Sequence, residues 1–306
     1  MRLRILLIPI LFFVAVATVA TQPPQPASTE WIRVRSDNGE FNIEVPKKNK
    51  HYGNKTGFTL GRSFGDSFVM ADMNLVNAFA DGTLVSVESY NAFEGALDAI
   101  YDRDSLRKSD IVTSKTKASG YTIRQITKKA DEFYMIRRYF NSKDQIYILT
   151  AASRTGETPT MRRFLDSVQF TPGKTKPDAD KTIAMSSLPQ DEPRVEILDD
   201  KPAANAKSSV ATTSSGTGIE KLVIVNRQSP SYTNAARQKG VTGNIRVRAK
   251  FSDEGWISDL SLYEKLDGGL LRQTPFAAIR IKFLPKQSDG KPISVTKTVE
   301  YSFLIF

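Results

Sequence analysis

The chain has 306 residues, 40% apolar and 25% charged, which excludes collagenous, coiled-coil and wholly disordered classes and leaves room for about two folded domains. Its net charge is +10, with lysine and arginine spread along the chain, so acidic partners such as envelope surfaces are expected and nucleic acid is not. Cysteine is absent, which rules out disulfides, thiolate catalysis, iron–sulfur clusters and a lipid-modified N-terminal cysteine.

Residues 1–20 carry Arg2 and Arg4, then an apolar run interrupted by Pro9, then small residues at Ala15, Ala17 and Ala20. That is the pattern of an export signal, with cleavage after Ala17 or Ala20. The run of about 15 residues reaches ~22 Å as a helix, short of the ~30 Å hydrocarbon core. An uncleaved anchor is the alternative, and membrane contact is expected only in that case. Pro23, Pro24 and Pro26 follow as a short stiff spacer.

Residues 29–172 form the first expected domain. Residues 31–46 read as a hairpin with Phe41, Ile43 and Val45 inward. Asp81-Gly82 between two strand-like runs is a strong hairpin signal. Residues 92–107 have helical spacing, with Phe93, Leu97, Ile100 and Tyr101 on one side. Three further strands are expected near 121–128, 133–140 and 145–152, then a closing helix from Thr158. Trp31, Gly39, Phe41 and Val45-Pro46 at the start, with Phe164, Ser167, Val168 and Phe170 at the end, resemble bacterial domains of the PsbP-like class. That resemblance implies binding or scaffolding.

Residues 173–218 are rich in Pro, Ser, Thr, Ala and Lys and lack apolar periodicity. A flexible coil of this length spans ~35 to 40 Å root-mean-square, so the second domain is expected to search around the first.

Residues 219–306 form the second expected domain. Pro230 to Gly240 reads as a proline-fixed start, an N-cap and a short helix stopped at Gly240. Ile245, Val247, Ala249 and Phe251 alternate with Arg246, Arg248 and Lys250, the period of a half-buried strand. A turn at Asp253-Glu254-Gly255 leads to a return strand, where broken alternation between Ile257 and Leu260 predicts a bulge. Thr274-Pro275 reads as the start of a second helix. The last strand alternates, with Val299, Tyr301, Phe303 and Ile305 sharing one face.

In order and spacing, Pro230, Tyr232, Ala235-Ala236, Gly243, Ile245, Gly255, Ala277, Arg280, Phe283, Pro285 and residues 299–306 resemble the C-terminal domain of the TonB family of envelope proteins. Thr233 stands where that family has its second proline. The resemblance implies strand addition, in which an extended peptide pairs with an exposed sheet edge through main-chain hydrogen bonds. It implies Ser229, Pro230 and Tyr232 near the peptide and Val299, Tyr301 and Phe303 on the receiving strand. The expected partner is an outer-membrane or other envelope protein, and pairing of two copies through the same edge is the alternative.

No nucleotide loop, serine elbow or dinucleotide fingerprint occurs, so no enzyme and no cofactor are expected. His51, the single histidine, reads as a solvated loop residue. Asp98, Asp102 and Asp104 are interleaved with Arg103 and Arg107, a solvated helix face and not a metal cluster. The overall expectation is an α+β protein of two domains, exported to the periplasm: an antiparallel-sheet domain, then a small sheet with packed helices. A periplasmic ligand-binding protein and a structural envelope protein are the rival readings.

Overall fold

The computed structural model describes residues 29–37, 39–52, 59–64, 67–91, 116–118, 121–142, 145–170, 182–189, 191, 194–197, 219–263 and 266–304. The export-signal pattern, the helical spacing over 92–107 and the aspartates within it lie outside those residues.

Among the described residues the chain is mostly β, with strand far outweighing helix, which overturns the expected α+β class. The described helices are α1 (Pro159–Asp166), α2 (Asn234–Gln238) and α3 (Leu270–Ile279), all short. Helices were expected to cover the sheets. In the structure the sheets largely cover one another.

The central layer is a long antiparallel sheet ordered β3-β5-β6-β10-β9-β8-β7, with β4 also on β5. Its strands are β3 (Lys50–Tyr52), β4 (Thr59–Phe64), β5 (Ser67–Ala80), β6 (Thr83–Asn91), β7 (Thr116–Ala118), β8 (Tyr121–Lys129), β9 (Tyr134–Asn141) and β10 (Gln145–Ser153). The expected Asp81-Gly82 turn joins β5 to β6, with both residues at positive φ. Alternation sends Val76, Val85, Val87, Tyr147 and Leu149 to one face, where α1 and β1 (Trp31–Arg35) with β2 (Phe41–Pro46) cover them, β11 (Gln169–Phe170) pairing on β2. There Phe41 stacks on Tyr147 with centroids 4.2 Å apart. Thr158 caps α1, accepting the Met161 N–H at 3.1 Å, and Pro159 pre-sets the first turn.

The opposite face carries Leu75, Tyr90, Tyr139, Ile146 and Ile148, and it is covered by the C-terminal half of the chain. Burial on both faces is why β10 is buried at every position after Gln145. Each large apolar side chain sealed there contributes about 1.5 to 3 kcal/mol.

The C-terminal half contains a four-stranded sheet ordered β13-β17-β16-β21. Its strands are β13 (Arg194–Ile197), β16 (Gly243–Phe251), β17 (Ile257–Leu262) and β21 (Val295–Phe303), and a smaller sheet beside it joins β14 (Ile219–Glu220), β19 (Lys286–Ser288) and β20 (Lys291–Ile293). Ile245, Val247, Ala249 and Phe251 are buried as the alternation predicts, and the β16–β17 register shifts between Ala249 and Phe251, which is the expected bulge. α3 begins one turn before the expected Thr274. Gly269 at positive φ starts it, Leu270 is buried, and the Thr274 hydroxyl donates back to the Leu270 carbonyl at 3.0 Å, so Pro275 falls inside the helix.

The segment expected to be free coil is partly a strap. β12 (Ile183–Ala184) pairs parallel with β1, and Met185 and Leu188 are buried in the first-half core. Asp191 then docks on β3: its N–H donates to the His51 carbonyl at 2.7 Å, and its carboxylate accepts the His51 N–H at 3.0 Å. β13 pairs parallel with β17. Both halves are thereby tied by one band, and the expected search of one domain around the other does not occur. Ladder hydrogen bonds and two apolar anchors overcame a composition that looked disordered. His51 is corrected as well: it lies on β3 and is buried, 1% exposed.

Candidate functional site

β21 ends its sheet, with β16 as its one strand neighbour among the described residues. The register pairs Val247 with Val299, Ile245 with Tyr301 and Arg246 with Glu300. The Arg246 carbonyl accepts from Tyr263 N–H on the β17 side, so Arg246 and Glu300 form a non-hydrogen-bonded pair. Main-chain groups of Glu300, and by alternation of Thr298 and Thr296, therefore point away from the sheet, along its outer rim.

The six residues expected at the site divide. Tyr301 and Phe303 are buried, 3% and 2% exposed, and serve the core of their own half. Val299 is half-buried beside them. Tyr232 packs on Phe303 with ring centroids 5.9 Å apart, and its hydroxyl donates to the Val241 carbonyl, so it anchors the segment that precedes α2. Ser229 is exposed and Pro230 half-buried, between Arg227 and Tyr232. The structure thus brings the segment 229–232 to the end of β21, with Tyr232 acting through packing.

The sequence reading missed Arg227 and Lys297. Arg227 follows β15 (Val223–Asn226); its guanidinium lies 4.7 Å from the Tyr301 ring centroid and donates to the outward carbonyl of Glu300. Burial raises the Tyr301 hydroxyl to about 12, and Arg227 opposes that shift. Lys297 pairs with Ala249 and so belongs to the core-facing side of β21, yet it is exposed. An inward-facing lysine on a terminal strand resists indiscriminate edge-to-edge pairing. Its signal was legible, since Lys297 occupies the same alternation as Val299 and Tyr301.

A second polar cluster lies deep between the halves. Glu88 on β6 is 1% exposed and receives Lys282 Nζ at 3.3 Å and Arg280 Nη2 at 3.8 Å. Arg280 also donates to the Tyr90 hydroxyl at 2.6 Å, Tyr90 donates to Glu88, and Lys282 donates to Asn77 Oδ1 at 3.2 Å. Lys282 belongs to β18 (Lys282–Leu284), while Arg137 on β9 is bonded to Thr150 at 2.9 Å on the same sheet face. Burial pushes Lys282 down to about 8; Glu88 opposes this, and Arg137 and Arg280 reinforce it. Its members are at most 6% exposed and join β6 of the first half to Arg280 and Lys282 of the second, so they act as a clamp between the halves.

A surface cleft of about 490 Å³ lies between Thr29, Glu30, Pro46, Lys48, Phe79 and Asp81. Its charges largely satisfy one another or their neighbours: Lys47 pairs with Glu30 at 2.8 Å, Lys48 with Glu254, and Asp81 accepts from Thr29 at 3.1 Å. Among the described residues no group of three or more metal-ligating side chains occurs, and no helix is long and apolar enough to cross a membrane. Compared with protein-family models and with curated proteins, the chain matches neither.

Proposed function

We propose that this chain is an exported, non-enzymatic envelope protein whose C-terminal sheet takes up an extended segment of an outer-membrane or other envelope protein as an added strand on β21. The observation that carries this reading is the rim: β21 has β16 on one side, and the outward main-chain groups of Thr296 and Thr298 are left for a second polypeptide, with Arg227 on the Glu300 carbonyl beside them. The likeness of residues 219–306 to the TonB C-terminal domain supports the same mechanism, and the signal-like residues 1–20 support a periplasmic location.

Photo-crosslinking side chains at Thr298 and Ser302, both exposed, test it in cells. Capture of an envelope protein from both positions, and not from a control at Lys239, is the expected result. Adducts confined to a second copy of the chain would replace the adaptor role by self-pairing through the same rim. A ligand-binding protein is the second reading, favoured by the cleft near Phe79. Its mutually paired charges leave few polar groups converging on an occupant.

A further inference from the structure

The rim presents more than main-chain groups. Lys297, Val299 and Tyr301 share the core-facing side of β21, and Arg227 lies over the Tyr301 ring. Two cations are therefore set at the two ends of a five-residue stretch with an apolar side chain between them, ~13 Å apart along the strand. Among the described residues, no carboxylate lies within ion-pair distance of either cation. The nearby carboxylate of Glu300 accepts from the Asn244 amide at 3.1 Å, on the other face of the sheet.

An added strand places its own side chains directly across from those of β21, on the same face. We propose that the rim selects an extended segment of another protein carrying two carboxylates four residues apart, with an apolar residue midway. One carboxylate meets Lys297, the apolar residue meets Val299, and the other carboxylate takes the Arg227 guanidinium as the incoming N–H replaces it on the Glu300 carbonyl. Arg227 is then a guard as well as a contact, because it holds the acceptor that the added strand needs. This inference rests on the strand-addition reading, and it adds the chemistry of the partner.

The test uses the full chain and three capped heptapeptides: Thr-Glu-Thr-Val-Thr-Glu-Thr, the same peptide with both Glu replaced by Gln, and the Glu peptide N-methylated at alternate residues. The Glu peptide should bind about three- to ten-fold more tightly than the Gln peptide at low salt, the combined effect of two exposed ion pairs. That preference should shrink in 0.5 M salt, where charges are screened over a few ångströms. Arg227→Ala and Lys297→Ala should each remove part of the preference, and N-methylation on the pairing side should abolish binding. Equal affinity for Glu and Gln peptides, with N-methylation still damaging, would overturn the acidic selection while leaving strand addition intact. No binding by any peptide, or indifference to N-methylation, would overturn both. A dimer of the chain that the Glu peptide cannot dissociate would assign the rim to a second copy and also overturn the proposal.

Discussion

The junction around Glu88 and the rim of β21 both use cations on polar acceptors, yet they hold them in opposite surroundings. At the junction, Glu88, Arg137 and Lys282 are at most 1% exposed and Arg280 is 6% exposed, and Lys282 and Arg280 face the Glu88 carboxylate. At the rim, Arg227 and Lys297 are exposed and touch no carboxylate among the described residues. Removing a partner from water-poor surroundings strands a charge, whereas removing an exposed one costs little. The junction is therefore a determinant of stability, and the rim is free to be one of recognition.

The sharpest way to break this contrast is Glu88→Gln. It leaves the buried Lys282 and Arg280 without the carboxylate they face and should destabilise the protein by about 3 to 5 kcal/mol, read as a lowered denaturation midpoint. A loss below about 1 kcal/mol would mean that water reaches the cluster. Gly255→Ala should come next. Gly255 turns the β16–β17 hairpin at φ +90, and an added Cβ would lie 2.8 Å from Phe79 Cβ across the junction, so a loss of roughly 1 to 3 kcal/mol is expected by overpacking. A neutral result would show that the two halves are not held in close contact there.

The two regions also differ in how stability responds to pH. The ordinary Lys value is 10.5 and Lys282 is lowered to about 8, so between these values the folded state binds fewer protons than the unfolded state. Stability from this group should rise with pH across that window. Lys282 faces Glu88 from β6, Arg137 from β9 and Arg280 at the end of α3. The rise should vanish in Lys282→Met, measured as the difference between two pH series of urea titrations; parallel series would refute it. Smallest of all should be Arg227→Ala, whose effect on unfolding should stay within about 0.5 kcal/mol, as for a surface position. A large loss would recast Arg227 as structural and remove it from the recognition argument.

Much of the local structure was legible in the sequence. The Asp81-Gly82 turn, the Thr158 cap, the alternation of β16 and the β17 bulge all follow from short-range rules, and all are present. What could not be read was the consequence of combining them. The apolar run from Ile146 to Ala152 signals a strand buried on both faces, yet nothing local names the C-terminal half as the second cover. Tertiary pairing also turned Ile183–Ala184 and Arg194–Ile197 into strands within a segment whose composition favours coil. The receiving edge at Val299, Tyr301 and Phe303 was expected only from the family resemblance of residues 219–306, and Arg227 was not expected at all, because its contact is with a main-chain carbonyl 73 positions away.

The band formed by β12, Asp191 and β13 makes the second half a bracket bolted to the first, where a leash had been expected. How far the rim stands from the body is then a dimension of the fold and not of chain length. Lengthening residues 198–218 with a Gly-Ser insert should leave the capture radius unchanged, and any partner has to travel to the protein to be caught.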